Sequence, residues 1–391
     1  MDLIMNTRTW AEINLDALTE NIKEIRRITN KDSMIMAVVK ADAYGHGAVE
    51  CAKTLLDNGA DRLAVACLDE AIQLRHSGIS APILILGASF DEEIPELIEY
   101  DITPTVFSID FAEKLSCEAK KQGKNALIHI KLDTGMTRIG YVAGVCDEDI
   151  TDEIIAISKL DNIIVEGIFS HLSTSDEKDP SYTLLQFERF MKVCGIIEKK
   201  GLKIPVKHIA NSAAIMMYPQ MHLEMVRAGI ILYGFYPSDD VDKTKLKLKK
   251  VMTLKSRITR IEEISDNRGV SYGKTYITKG KTKVATVAIG YADGYTRMLS
   301  GKAKVEVRGQ IVDVIGRICM DQCMIDVTNV NNINVGDEVI IFGADTVTAD
   351  SLAMWLGTIN YEIICMISKR IPRVYITDGR TVNSLNYLSK L

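Results

Sequence analysis

The stretch "AVVKADAYGHGA", residues 37–48, decides how the first half of the chain is read. An apolar run over residues 35–39 stops at Lys40, and Asp42, Tyr44 and His46 follow with Gly45 and Gly47 between them. A continuous apolar run of this length reads as a strand buried on both faces, the habit of a parallel sheet. Lys40 sits where that burial stops. The two glycines let the backbone bend beyond it.

Seven more runs of the same texture follow, at residues 63–66, 83–86, 103–107, 126–132, 164–169, 206–209 and 226–233. Amphipathic stretches separate them. In "LTENIKEIRRI" (18–28), Leu18, Ile22, Ile25 and Ile28 fall on one helical face. "LDNG" (56–59), "LRHSG" (74–78) and "IEKKG" (197–201) end helices on glycine. This pattern fits an α/β fold, either a doubly wound sheet or a barrel, and eight strand–helix units favour a closed (β/α)8 TIM-type barrel over residues 12–237.

The texture changes after "GFYPSDDVD" (234–242). "VMTLKSRITRIEE" (251–263), "TKVATVAIG" (282–290), "AKVEVRGQIVDVIG" (303–316) and "GDEVIIFG" (336–343) alternate strands with turns. Residues 238–391 therefore read as a mostly β C-terminal domain. It includes a helical stretch at 349–368 and a last strand around 373–376. "TWAEINL" (9–15) reads as a strand, with residues 1–11 joining that domain. The lysine-rich "DKTKLKLKK" (242–250) reads as one solvated face of a strand.

The chain has 391 residues and a net charge of −5, with no long basic patch, which argues against nucleic acid as a partner. No apolar stretch reaches the roughly 18 residues of a membrane helix. The N-terminus carries an early Asp2 and no basic n-region, so the expected location is the cytoplasm. The eight cysteines are scattered and read as reduced core residues. Cys319 and Cys323 lack a second pair to complete a metal site, so no metal is expected.

Catalytic groups of a barrel project from the C-terminal ends of its strands. That filter collects Lys40, Lys131 with Arg138 just beyond it, His171, Asn211 with Ser212, and Arg227 with Gly229 and Ile230. A lysine desolvated at a strand end loses its charge and becomes a nucleophilic amine, suited to a Schiff base with an aldehyde cofactor. Ser212, Gly229 and Ile230 lie where barrels bind phosphate, and Tyr44 is near enough in sequence to Lys40 to reach the same anion.

Lys40 in "AVVKADAYGHG", "KLDTGMTRIG" (131–140), "HIANSAA" (208–214), "VRAGIILYG" (226–234), "VSYGKTY" (270–276), "AIGYADGY" (288–295), "GRICMDQCMIDVT" (316–328) and "TINYEI" (358–363) together resemble the signatures of bacterial alanine racemases. The likeness runs in order over residues 9–376. It implies pyridoxal 5′-phosphate on Lys40 and a two-base reaction through an external aldimine, with Lys40 on one face of the substrate Cα. Tyr272, in "VSYG", would serve the other face from the second subunit of a homodimer.

The same resemblance places Arg227 at the pyridine nitrogen and His171 in a hydrogen-bonded chain toward Tyr272, where the family usually has threonine instead of Ser170. Arg138 would meet the substrate carboxylate, beside a Lys131 that is carbamylated in some members. Asn211 would lie below the cofactor, and Tyr44, Ser212, Gly229, Ile230 and Tyr361 would hold its phosphate. Tyr291, Met320 and Asp321 would line the partner's substrate pocket and entrance. The implied product is D-alanine for peptidoglycan. Two alternatives stay open: a racemase of another small amino acid such as serine, and a non-catalytic pyridoxal-phosphate-binding protein.

Overall fold

The computed structural model describes residues 7–389. The chain divides into two compact units. One comprises Leu18–Ala43 and Ala48–Lys249; the other comprises residues 7–17, the short segment Tyr44–Gly47, and residues 250–389, and the part of the expected N-terminal strand at residues 1–6 lies outside the described residues.

The first unit is an eight-stranded parallel barrel. Its strands are Met34–Val38, Arg62–Val65, Ile83–Ala88, Thr103–Val106, Ala126–Asp133, Ile163–Phe169, Val206–His208 and Met225–Ala228. The first seven pair in parallel, each with the next. The eighth returns to the first with Met225 opposite Met34 and Arg227 opposite Met36. The Arg227 N–H donates to the Ala210 carbonyl at 3.0 Å and closes the ring on the seventh strand. The first strand is buried from Ile35 through Val38, as an apolar run covered on both faces must be. Helices Ala48–Asp57, Leu68–His76 and Ser181–Lys199 give way to Gly59, Gly78 and Gly201 at positive φ, the conformation that glycine adopts without a Cβ clash.

The second unit is built on a mostly antiparallel sheet. Its long strand Met252–Ile264 pairs with Thr282–Val287 at one end and Glu338–Phe342 at the other. Thr9–Asn14 inserts between Met252–Ile264 and Arg373–Thr377. Its Trp10 is fully buried, with the indole N–H donating to Glu12 and the Arg257 guanidinium 5.0 Å from the ring.

Five readings change. The eighth strand ends at Ala228, and Ile230–Tyr233 form a 3-10 turn that hides the same apolar residues without sheet pairing. Residues 242–250 are not a strand; Leu246 alone of that run is fully buried, and the lysines stand in irregular chain. The helical stretch 349–368 is two helices, Ala349–Leu356 and Asn360–Cys365, broken where Gly357 turns to φ 75°. A strand that alternation did not reveal, Arg380–Leu385, pairs with Arg373–Thr377. Only Cys51, Cys194 and Cys323 are buried; Cys67, Cys117, Cys146 and Cys365 are exposed, because an apolar neighbourhood in sequence leaves the facing of one side chain open.

Candidate active site

The bend after Lys40 is not made by glycine. Ala41, Asp42, Ala43 and Tyr44 adopt φ of 51°, 56°, 54° and 52°, a left-handed helical turn of four non-glycine residues. Such a turn costs roughly 1–2 kcal/mol per residue. It is held by the Ala43 N–H on the Val39 carbonyl at 2.8 Å, the Ala41 N–H on Glu70 at 2.6 Å, and the Ala48 N–H on Asp42 at 2.8 Å. Strain concentrated beside the half-buried Lys40 is a mark of a functional site.

The glycines serve close approach instead. The Gly45 carbonyl accepts from Arg373 Nε at 2.9 Å, and Arg373 spends its other donors on the carbonyls of Ile367, Ser368 and Ile371. A Cβ on Gly47 would stand 1.9 Å from the Tyr375 hydroxyl, at a φ of 93°. Gly47→Ala is therefore expected to destabilise the protein by at least about 1–3 kcal/mol from backbone strain alone. A urea midpoint equal to that of the wild type would contradict this. Tyr44, in the same segment, is buried and packs its ring 6.2 Å from Tyr361. Burial drives its phenol pKa well above the ordinary value, so it is a neutral hydroxyl and a donor.

Around the barrel's C-terminal end, Arg227 is the central charge. It is 3% exposed. Among the described residues its partners are all neutral: the carbonyls of Ser170, His208 and Ile209, and the Nδ1 atoms of His208 at 2.9 Å and His171 at 3.2 Å. Burial and the charge of Arg138 lower its pKa to about 9, which leaves it a cation at neutral pH. Burial, followed by the charge of Arg227, holds His171 well below the usual imidazole range, so that ring is neutral.

Lys131 is buried, donates to the Leu132 carbonyl at 2.7 Å and stands 5.2 Å from the centre of the Phe169 ring. Burial first, and then the charges of Arg227 and Arg138, push its pKa down to about 7 against the opposing pull of Asp133. The loop beyond it folds around Asp133, whose carboxylate accepts the N–H groups of Gly135, Met136, Thr137 and Arg138. Burial works against that charge, but those donors outweigh it and keep the group ionised. Arg138 itself is exposed.

Asn211 caps helix Ser212–Met217 by accepting from the Ala214 N–H, and it accepts from Ser175 as well. Ser212 Oγ accepts from the Gly229 N–H at 3.0 Å, which joins the ends of the seventh and eighth strands where Ile230 follows.

The second unit groups the remaining residues along three loops. Tyr272 lies in a short turn entered through Ser271 at φ 63° and ψ −173°, a conformation normally left to glycine. The Ser271 hydroxyl donates to the Arg317 carbonyl at 2.6 Å. The Tyr291 and Ala292 N–H groups donate to the carbonyls of Cys319 and Met320. Arg370 fastens Asp321 at 2.8 Å and reaches the buried Asp293 at 3.3 Å. Tyr272, Tyr291 and Met320 are 68%, 42% and 52% exposed. An open apolar groove lined by Ile264, Val270, Val284 and Met324 adjoins Tyr272.

Several members of these constellations escaped the reading of the sequence: Asp133, Arg370, Arg373 and the buried pair His129 and His208. The available signal was a histidine inside an apolar strand, in "LIHIKL" and "PVKHIA".

A parallel barrel that gathers Lys40, Lys131, His171 and Arg227 at one end of its strands, with an antiparallel β unit carrying exposed tyrosines, defines a class of lysine-centred barrel proteins with a β-rich companion unit. Residues 13–237 match the alanine racemase N-terminal domain and residues 251–375 the alanine racemase C-terminal domain. "Alanine racemase 1" of Clostridium acetobutylicum is 53% identical over 97% of this chain and 98% of its own length. The alanine racemase of Clostridium difficile 630 superposes with a TM-score of 0.95 at 48% identity, covering 98% of this chain and 100% of that one. Its complex with cycloserine gives a TM-score of 0.93 at 47% identity over 98% and 100%. The chain belongs to the alanine racemase family.

Proposed function

We propose that this protein interconverts L- and D-alanine with pyridoxal 5′-phosphate, as a cytoplasmic homodimer that supplies D-alanine for peptidoglycan. The observation that carries the reading is Arg227: a buried cation at the barrel mouth, ringed by neutral acceptors, with no carboxylate among its partners in the described residues.

The residues present fit the cofactor. Lys40 offers an amine at a strained rim, and Ser212, Gly229 and Ile230 meet where barrels hold phosphate, with Tyr44 and Tyr361 as hydroxyl donors. Arginine only donates, so the ring nitrogen it meets must accept and stay unprotonated. When bound, the cofactor supplies the electron-withdrawing system that acidifies the substrate α-proton.

Inversion then needs a base and an acid on opposite faces. Lys40 Nζ serves one face. Tyr272 Oη of the partner subunit serves the other, which accords with its exposure and with the groove beside it. The neutral His171 ring passes the influence of Arg227 toward that tyrosine. Arg138 orients the substrate carboxylate, Asn211 supports the cofactor from below, and Tyr291, Met320 and Asp321 shape the entrance and pocket. The test is kcat/KM for L-alanine and L-serine with the cofactor-loaded protein. Alanine is expected to be strongly preferred. Equal or better turnover of serine would mean a retuned pocket around Tyr361 and Met320, and turnover of neither would overturn the reading.

Lys131 completes the site as a carbamate. Its neutral amine attacks carbon dioxide, forming an N–C bond and releasing one proton, and the resulting anion orients Arg138. Only the neutral amine attacks, so with a pKa of about 7 the modification is expected to fall off as the pH drops below that value. A carbamate signal from 13C-bicarbonate that persists in Lys131→Ala would contradict the assignment.

A further inference from the structure

Arg227 is one end of a chain of polar side chains, buried at Arg227, His208 and His129 and partly buried at Glu166 and Arg62, that links five strands of the barrel. Arg62, at the start of the second strand, holds Glu166 of the sixth with two bonds, 2.7 and 2.8 Å. Glu166 Oε2 lies 3.1 Å from His129 Nε2. His129 Nδ1 lies 2.8 Å from His208 Nε2, and His208 Nδ1 lies 2.9 Å from Arg227 Nη1. Both imidazoles are fully buried, and Phe169 stacks on His208 with centroids 4.8 Å apart and planes 7° from parallel. Gly167 makes room: a Cβ there would come within 2.5 Å of the His129 ring.

The protons of this chain have one consistent arrangement. A guanidinium only donates, so His208 Nδ1 accepts and carries no proton. His208 keeps its proton on Nε2 and donates it to His129 Nδ1. His129 is then protonated on Nε2 and donates to the Glu166 carboxylate, which Arg62 keeps ionised. Charging His208 would set a donor against the Arg227 donor. Charging His129 would leave His208 accepting at both nitrogens, which requires an imidazolate. Glu166 thus sits at the acceptor end of a one-way relay and Arg227 at its donor end. The charges facing the two rings agree with this. Burial lowers the basicity of both imidazoles, the cations Arg227 and Arg62 lower that of His208 further, and Glu166 opposes the effect only at His129. By the same rule His171, which accepts at Nδ1 from Arg227, is a donor at Nε2.

We propose that Arg62, Glu166 and His129 are positioning residues for the reaction: through the fixed tautomer of His208 they hold Arg227 in a single orientation as a donor toward the cofactor. The inference rests on the role given above to Arg227.

The first test is 15N NMR of histidine-labelled holoenzyme without substrate, with signals assigned by single His→Gln variants. His129 and His208 are expected to stay neutral, protonated on Nε2 alone, across about pH 6–9, a range in which an ordinary imidazole changes charge. A proton on His208 Nδ1, or an imidazolium at either ring, overturns the relay whatever the activity. The second test is Glu166→Gln, which removes the charge and keeps the shape. It is expected to shift both histidine signals, lower kcat about tenfold or more with KM for alanine within about twofold, and weaken cofactor binding, because displacement of Arg227 acts on the cofactor and not on substrate capture. Unmoved signals with kcat within about twofold of wild type overturn the inference. Holoenzyme that shows the stated tautomers yet racemises no amino acid overturns the proposed function and leaves the tautomer chain standing.

Discussion

Lys40→Ala is expected to abolish racemisation and to leave the fold in place. On the proposed function two losses coincide in this variant. The amine that bonds to the cofactor is gone, so pyridoxal phosphate is held only by contacts to its phosphate and ring and is expected to leave on gel filtration. The base on one face of the substrate is gone as well. A general acid–base group alone contributes about 10²–10⁴-fold, so activity should fall by at least ~10⁴-fold once the covalent anchor is also removed. The structural effect is smaller. Lys40 is half-buried at the barrel rim, while the strand that carries it is anchored by Ile35, Met36, Ala37 and Val38 in the core. The thermal midpoint of Lys40→Ala apoprotein should therefore match that of wild-type apoprotein within a few degrees, and a small exogenous amine should restore part of the turnover. Cofactor retained through gel filtration, or activity within about tenfold of wild type, would remove Lys40 from the centre of the site.

How much of this was legible before the fold was known depended on range. The barrel was legible because each buried parallel strand writes itself as a local apolar run, and strand ends expose the residue types that follow them. Lys40 and Arg227 could be placed at one rim from that rule alone. The left-handed turn at Ala41–Tyr44 was not legible, because three of its residues are ordinary formers of right-handed helix and only long-range bonds, such as that from the Ala41 N–H to Glu70, hold it. The apolar run 230–233 resembled more strand because burial, not sheet pairing, sets composition there. The Arg62–Glu166–His129–His208 chain joins four strands at sequence separations of 37 to 104 residues. No local pattern encodes that. Nor does any local pattern pair the half-buried Arg370 with Asp321 or the buried Arg373 with the carbonyl of Gly45, since each partner comes from a distant segment.

Tyr272→Phe carries the second large effect, and it separates the two bases. The substitution deletes one oxygen from an exposed side chain and removes nothing from the core, so stability should be unchanged. Inversion should drop by about 10²–10⁴-fold, the usual contribution of a positioned acid–base group. Lys40 still reaches its own face. In D2O, one alanine enantiomer should therefore keep exchanging its α-proton with retention of configuration, while the other exchanges as slowly as inversion proceeds. Equal loss of exchange for both enantiomers would mean that Tyr272 does not serve a single face.

The same variant also tests which subunit supplies the tyrosine. Consider dimers that pair a Lys40→Ala chain with a Tyr272→Phe chain. If the tyrosine acts across the interface, one site of each mixed dimer carries both lesions and the other carries neither. Random reassociation of the two inactive homodimers should then recover about one quarter of wild-type activity, since half the dimers are mixed and half their sites are whole. If the tyrosine acts within its own chain, every site carries one lesion and mixing recovers nothing. The exposure of Tyr272, the strained Ser271 that presents it and the apolar groove at its side all argue for the first outcome.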